Sequence, residues 1–203
     1  MEAFTLFSAP AVPMDESNLD TDQICPARLI KTLTVPDNPD AYFHDRRMGE
    51  YGRPIAGFVL NDPDFAAARI IVAERNFGIG SSRQAAVFAL QAAGFRAVVA
   101  ESFGDIFFNN ALKSGLLTIK LGERETAQLR ASLHACKDQE TSIDLPAQMI
   151  TGPDGAQYGF EIGALRKKCL LEGLDDLALT DRYGAKIDEF EKNYLAERPW
   201  MGD

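Results

Sequence analysis

The sequence predicts an α/β fold with parallel strands at its centre. Three observations carry this. Short apolar runs at 70–73, 95–100 and 116–121 alternate with segments of helical spacing, the pattern of strands joined by crossover helices. The first run, Ile70-Ile71-Val72-Ala73, is apolar throughout and rich in β-branched residues, which suits a buried strand. It leads through Gly78 and Gly80 into a helix-compatible stretch that stops at Gly94.

That strand–turn–helix unit holds the densest chemistry of the chain. In Gly78-Ile79-Gly80-Ser81-Ser82-Arg83, two hydroxyls and one guanidinium crowd onto a turn. Ser81 or Ser82 can cap the following helix. Unpaired amides and the helix dipole favour an anion there, and an arginine can hold a carboxylate through two parallel hydrogen bonds. Junctions of this type also serve simply to turn the chain. Residue chemistry therefore favours an anion site over a plain turn without making the site catalytic.

The remaining elements follow in order. Residues 3–12 read as a first strand, closed by Pro10 and Pro13. Asp20, Thr21 and Asp22 are turn and cap formers, and the aspartates read as structural. Arg28 and Lys31 stand beside that turn as two cations able to face an anion or solvent. Residues 32–54 are loop-like, with a short polar helix at 42–51, and 58–60 read as a short strand or turn. Residues 102–114 have helical apolar spacing with Ser102 as the natural cap. Residues 123–136 form an amphipathic helix with an acidic first turn. Short strands follow at 142–145, 148–151 and 158–162, with Asp154-Gly155 as a hairpin turn. Helices are expected at 163–173, 175–179 and 186–194. Arg166-Lys167-Lys168 reads as a solvated face or partner contact, and Trp200 as a packing or interface anchor. The domain reading is one domain over 1–180 with a helical tail over 181–203.

Composition narrows the function. A net charge of −9 opposes nucleic-acid and acidic-membrane binding, because phosphates would be repelled. No apolar run reaches membrane-spanning length, and the start of the chain lacks a secretory pattern, so the expected location is cytoplasmic. Cys25, Cys136 and Cys169 are widely spaced, with only His44 and His134 besides. This favours neither a disulfide framework nor a metal or cluster site on this chain.

Four motifs, in order, resemble one family. They are Asn18-Leu19-Asp20-Thr21-Asp22 with Pro26-Ala27-Arg28; Arg75-Asn76-Phe77-Gly78-Ile79-Gly80-Ser81-Ser82-Arg83; Ser102-Phe103-Gly104-Asp105-Ile106-Phe107-Phe108-Asn109-Asn110 with Gly115-Leu116-Leu117; and Arg166-Lys167-Lys168-Cys169-Leu170-Leu171-Glu172-Gly173-Leu174-Asp175-Asp176. The chain resembles the small subunit of 3-isopropylmalate dehydratase, in the aconitase superfamily. The resemblance implies a swivel domain, a β/β/α sandwich with a mixed sheet flanked by helices. It implies a large-subunit partner, in a heterodimer or heterotetramer, that carries a [4Fe–4S] cluster and most of the substrate site. No cofactor would be bound by this chain.

The implied reaction takes 2-isopropylmalate through isopropylmaleate to 3-isopropylmalate, in leucine biosynthesis. The substrate is a small dicarboxylate. By resemblance Ser81 is the base, as an alkoxide, and Arg83 binds a substrate carboxylate. Ser82 supports the turn and the substrate, and Arg28 and Lys31 supply further anion contacts. A serine is far from ionised at neutral pH, so helix amides and Arg83 must stabilise the anion. The cluster iron would act as Lewis acid on the leaving hydroxyl. The loop at 32–40 would govern specificity and closure.

The chain departs from the family's usual Gly-Cys-Gly-Ser-Ser-Arg-Glu-His-Ala at three places. Ile79 replaces the cysteine, and Gln84-Ala85 replace the acid and the imidazole. Two alternatives therefore stand beside the main reading: a related hydro-lyase acting on another alkyl-substituted malate, and a non-catalytic paralogue that binds the large subunit. A nucleotide-binding reading is weakest, since no P-loop lysine follows the glycines and Arg83 fills the third glycine position of a dinucleotide fingerprint.

Overall fold

Pro10 divides the N-terminal stretch into two strands that enter different sheets. β1 (Leu6–Ala9) and β2 (Ala11–Met14) flank it. The single strand expected over 3–12 is thereby corrected: proline has no N–H to give a ladder, and its carbonyl instead accepts from Arg69 N at 2.9 Å. The computed structural model describes residues 1–32, 40–80, 84–137 and 139–201, with the backbone alone for 30–32. In order the elements are α1 (Thr21–Ile24), α2 (His44–Arg47), β3 (Ile70–Ala73), α3 (Gln84–Ala92), β4 (Ala97–Ala100), α4 (Asp105–Ser114), β5 (Leu117–Lys120) and α5 (Glu123–Ala135). Then come β6 (Thr141–Asp144), β7 (Met149–Thr151), β8 (Gln157–Gly159), α6 (Ala164–Glu172), α7 (Asp176–Asp181) and α8 (Gly184–Glu197). Residues Val59–Asn61 form a 3-10 turn.

The expected β/β/α sandwich is present, but the expected mixed sheet is corrected: strand directions are segregated between two sheets, because the strands joined by crossover helices pair parallel and β6, β7 and β8, joined by tight turns, pair antiparallel. One sheet is wholly parallel, in the order β2-β3-β4-β5, and the other wholly antiparallel, in the order β1-β6-β7-β8. Side chains of the parallel strands alternate between two cores, as a period of two requires. Ile70, Val72, Ala97, Val99, Leu117 and Ile119 face the antiparallel sheet, with Ile143, Ile150, Leu129 and Leu170 in the same cluster. Ile71, Ala73, Val98 and Ala100 face the opposite way, into a cluster with Ala86, Val87, Ala89 and Leu90 of α3. Burial on both faces explains the unbroken apolar runs.

Helix ends follow local chemistry. Asp20 caps α1 in a reciprocal box with Gln23, accepting from Gln23 N at 2.7 Å, which makes it structural as expected. The expected Ser102 cap is corrected: the helix begins two residues later, so the N-cap of α4 is Gly104 with no side-chain cap, and the Ser102 hydroxyl bonds Asn76 instead. Gly173 closes α6 in left-handed conformation. Arg166 pairs with Asp176 at 3.1 Å, and Lys167 donates to Pro146 O and Gln148 Oε1, both at 2.8 Å. No residue of α8 is buried, and Trp200 is 77% exposed, so it anchors no core of this chain.

Candidate functional site at the ends of the parallel strands

β2, β3 and β4 run parallel, so their C-terminal ends open on one edge of the sheet. In open α/β sheets that edge is where ligands bind. The three loops that leave it remain hydrogen-bonded to one another. Gly78 N donates to Leu19 O at 2.6 Å, and Thr21 N donates to Ile79 O at 2.9 Å. On the other side Phe77 N donates to Ser102 O at 3.0 Å, and Gly104 N donates to Phe77 O at 2.9 Å. Parallel pairing thus continues past the strands as bridges Asp20–Ile79 and Phe77–Phe103.

This close approach explains two glycines. Gly78 has φ +71°, and a Cβ there would run into the Phe107 ring. A Cβ on Gly104 would strike the Gly78 carbonyl and lie 2.9 Å from Ile79 Cα. Neither position admits a side chain without moving the turn.

Two polar groups tie the same loops. Asn76 Nδ2 donates to Asn18 Oδ1 at 2.7 Å, Asn76 N donates to Ser102 Oγ at 2.8 Å, and Ser102 Oγ donates to Asn76 Oδ1 at 3.1 Å. The residue following each strand is acidic: Asp15, Glu74 and Glu101. All three meet Arg130 of α5, at 2.8, 3.2 and 3.9 Å respectively. Arg130 is only 9% exposed. Ser17 Oγ donates to Glu74 Oε2 at 2.6 Å, and His134 Nε2 lies 2.6 Å from Asp15 Oδ2.

Of the sequence-predicted site residues, Ser81, Ser82 and Arg83 lie outside the described residues, as does the side chain of Lys31. The described chain stops at Gly80 and resumes at Gln84, the first residue of α3. Residues 33–39 of the expected specificity loop also lie outside it. Arg28 forms a two-pronged ion pair with Asp45 on α2, in an exposed position. That hydrogen-bonded pairing holds the Asp45 carboxyl below the usual carboxylate range. Gln84, at the departure from the family pattern, places Nε2 3.4 Å from Ser114 Oγ on α4.

A groove of about 570 Å³ borders the end of β2, with Asp15, Glu16, Phe58, Phe65, His134 and Lys137 among its walls. None of its described lining residues belongs to the Gly78–Gly80 turn. Among the described residues, no three or more His, Cys, Asp or Glu side chains converge where a metal ion could sit. Cys25 and Cys169 are buried free thiols, and Cys136 is a half-buried one. Among the described residues, no helix is long and apolar enough to cross a membrane.

The family model described as the aconitase C-terminal domain matches residues 1–124. The chain belongs to the aconitase C-terminal-domain family. A second model, LeuD_N, matches residues 127–164. Among solved structures, the chain is similar to the 3-isopropylmalate dehydratase (leuD) of Methanocaldococcus jannaschii. The two share 26% identity with a TM-score of 0.66, over 91% of this chain and 99% of that one.

Within this family frame, sequence reasoning missed Arg130, its three carboxylates and the Asn18–Asn76 contact. One signal was legible: Met14-Asp15, Ala73-Glu74 and Ala100-Glu101 each place an acid directly after an apolar run. Three acids at the ends of neighbouring parallel strands need a shared cation.

Proposed function

We propose that this chain is the small subunit of a 3-isopropylmalate dehydratase, a hydro-lyase of leucine biosynthesis acting on 2-isopropylmalate. The observation that supports this best is the likeness to a 3-isopropylmalate dehydratase over 91% of this chain and 99% of that one. In this reading a large subunit completes the enzyme, as a heterodimer or heterotetramer, and a [4Fe–4S] cluster resides on that partner. The cluster supplies Lewis-acid chemistry at the leaving hydroxyl. This chain contributes Ser81 as the base, Arg83 as the carboxylate clamp and Ser82 as support, with Arg28 and Lys31 as outer anion contacts. Arg28 must leave Asp45, or share it, to serve in that way.

The test is co-expression with the large subunit encoded nearest to it, anaerobic cluster reconstitution, and alkene absorbance with 2-isopropylmalate. Turnover is expected, and Ser81→Ala should lower it by about 10²–10⁴-fold while the subunits still co-purify. Equal activity in that variant refutes the role of Ser81. A second reading, a hydro-lyase for another alkyl-substituted malate, is favoured by Gln84, which follows Arg83 in sequence where the family has an acid and whose amide instead lies 3.4 Å from Ser114 Oγ. Turnover of smaller alkyl malates with none of 2-isopropylmalate would select that reading over the first.

A further inference from the structure

The loops after β2, β3 and β4 start as three independent segments, and Asn76 is where they meet. Its side chain uses both ends of the amide. The nitrogen donates to Asn18, 58 residues away, and the oxygen accepts from Ser102, 26 residues away. Its backbone N–H donates to the same Ser102 hydroxyl, so the two residues bond reciprocally. Asn18 and Asn76 both hold φ at +61°, a left-handed conformation that a Cβ disfavours and that asparagine tolerates through local hydrogen bonds. Ser102 lies two residues before Gly104, the N-cap of α4, and its hydroxyl serves this contact.

Asn76 stands two residues before Gly78 and five before Ser81. Immediately beyond it, Gly78 and Ile79 are bonded to Leu19 and Thr21 by backbone hydrogen bonds. We infer that Asn76 is a positioning residue: it clasps the loops after β2 and β4 to its own, and so fixes the Gly78–Gly80 turn that directly precedes Ser81, Ser82 and Arg83 in sequence. It acts through the turn, not on substrate. The inference rests on the proposed function for its activity readout and on hydrogen bonding alone for its structural one.

Three variants separate the contributions. Asn76→Gly relieves the backbone conformation but removes both side-chain bonds. Asn76→Asp keeps the acceptor for Ser102 and loses the donor to Asn18. Asn18→Gly removes only the second partner. In the reconstituted two-subunit enzyme, kcat should fall about 10–100-fold in Asn76→Gly, with KM rising less than kcat falls. Asn18→Gly and Asn76→Asp should each fall part of the way. The double Asn18→Gly, Asn76→Gly variant should be no worse than Asn76→Gly, because the residues act as a unit. Hydrogen exchange on the same complexes should quicken at least about tenfold at the Gly78 and Thr21 amides, with β3 and β4 unchanged.

Wild-type kcat in Asn76→Gly overturns the inference, as does unchanged exchange at Gly78 and Thr21. Faster exchange throughout β3 and β4 also overturns it, since Asn76 would then hold the fold and not the loops. If the unmodified enzyme turns over no alkyl malate, the proposed function fails. The exchange measurement then decides the clasp by itself.

Discussion

Replacing Arg130 with methionine keeps an unbranched stem in a buried site and deletes the charge. The side chain of Arg130 is 10% exposed, with Glu101 at 17%, Glu74 at 30% and Asp15 at 52%. Removing the cation strands two largely shielded carboxylates beside each other. Breaking a buried ion pair costs about 3–5 kcal/mol. Water can reach half of Asp15, which places this site at the low end, about 3 kcal/mol. Unfolding entropy of ~2.1 cal/mol/K per residue gives roughly 0.43 kcal/mol/K for the 203 residues, so the loss corresponds to a Tm about 7 °C lower. Thermal and urea unfolding followed by circular dichroism measure it. Adding Glu101→Gln removes one stranded charge and should restore about 1 kcal/mol. A loss below about 1 kcal/mol in Arg130→Met, or a double variant weaker than the single one, refutes the reasoning.

Three further outcomes are expected. Gly104→Ala puts a methyl against the Gly78 backbone and should lower the unfolding free energy measured in urea by about 1–3 kcal/mol, with activity falling further because the turn moves. Thr118 is buried in β5 with its hydroxyl unpartnered, so Thr118→Val should raise stability by about 1 kcal/mol in the same unfolding assay. Lys113, and then Arg166, hold the Asp176 carboxyl below its ordinary value of 3.8. A carboxyl lowered in the folded state stabilises above its unfolded pKa and loses that contribution as pH falls through the folded one. Asp176→Asn should therefore lower the urea midpoint at pH 7, and its gap to the unmodified chain should close as pH is taken below 3.8.

The parallel layer was legible because each of its central strands is buried on both faces. Ile70-Ile71-Val72-Ala73 leaves no polar position to mislead a reader, and Gly94 and Gly173 mark helix ends by their left-handed conformation. The N-terminal pair was misread because four-residue strands show no more pattern than one longer strand, and only pairing distinguishes them. Ser102 was misread as a cap because its partner, Asn76, lies 26 residues earlier, beyond any local rule. Arg130 was invisible for the same reason. It reads as one position of an amphipathic helix, and its ligands Asp15 and Glu74 are 115 and 56 residues away. The Ser81-Ser82-Arg83 triplet stands out in the sequence because two hydroxyls and a cation crowd onto one turn, and its roles rest on the family resemblance.

The division at Pro10 also sets a clock. β2 meets its partner with Ala11 opposite Ile70, whereas Ser8 of β1 pairs with Ser142, 134 residues later. At about 5–20 residues per second, a ribosome needs roughly 7–27 s to make that intervening chain. Two strands separated by one proline thus enter the fold at different moments of synthesis. The parallel sheet, with the loops that carry the candidate site, can assemble while β1 still waits for the antiparallel sheet to exist. Synthesis of β6 to β8, not local folding speed, sets the earliest moment at which that second sheet can form.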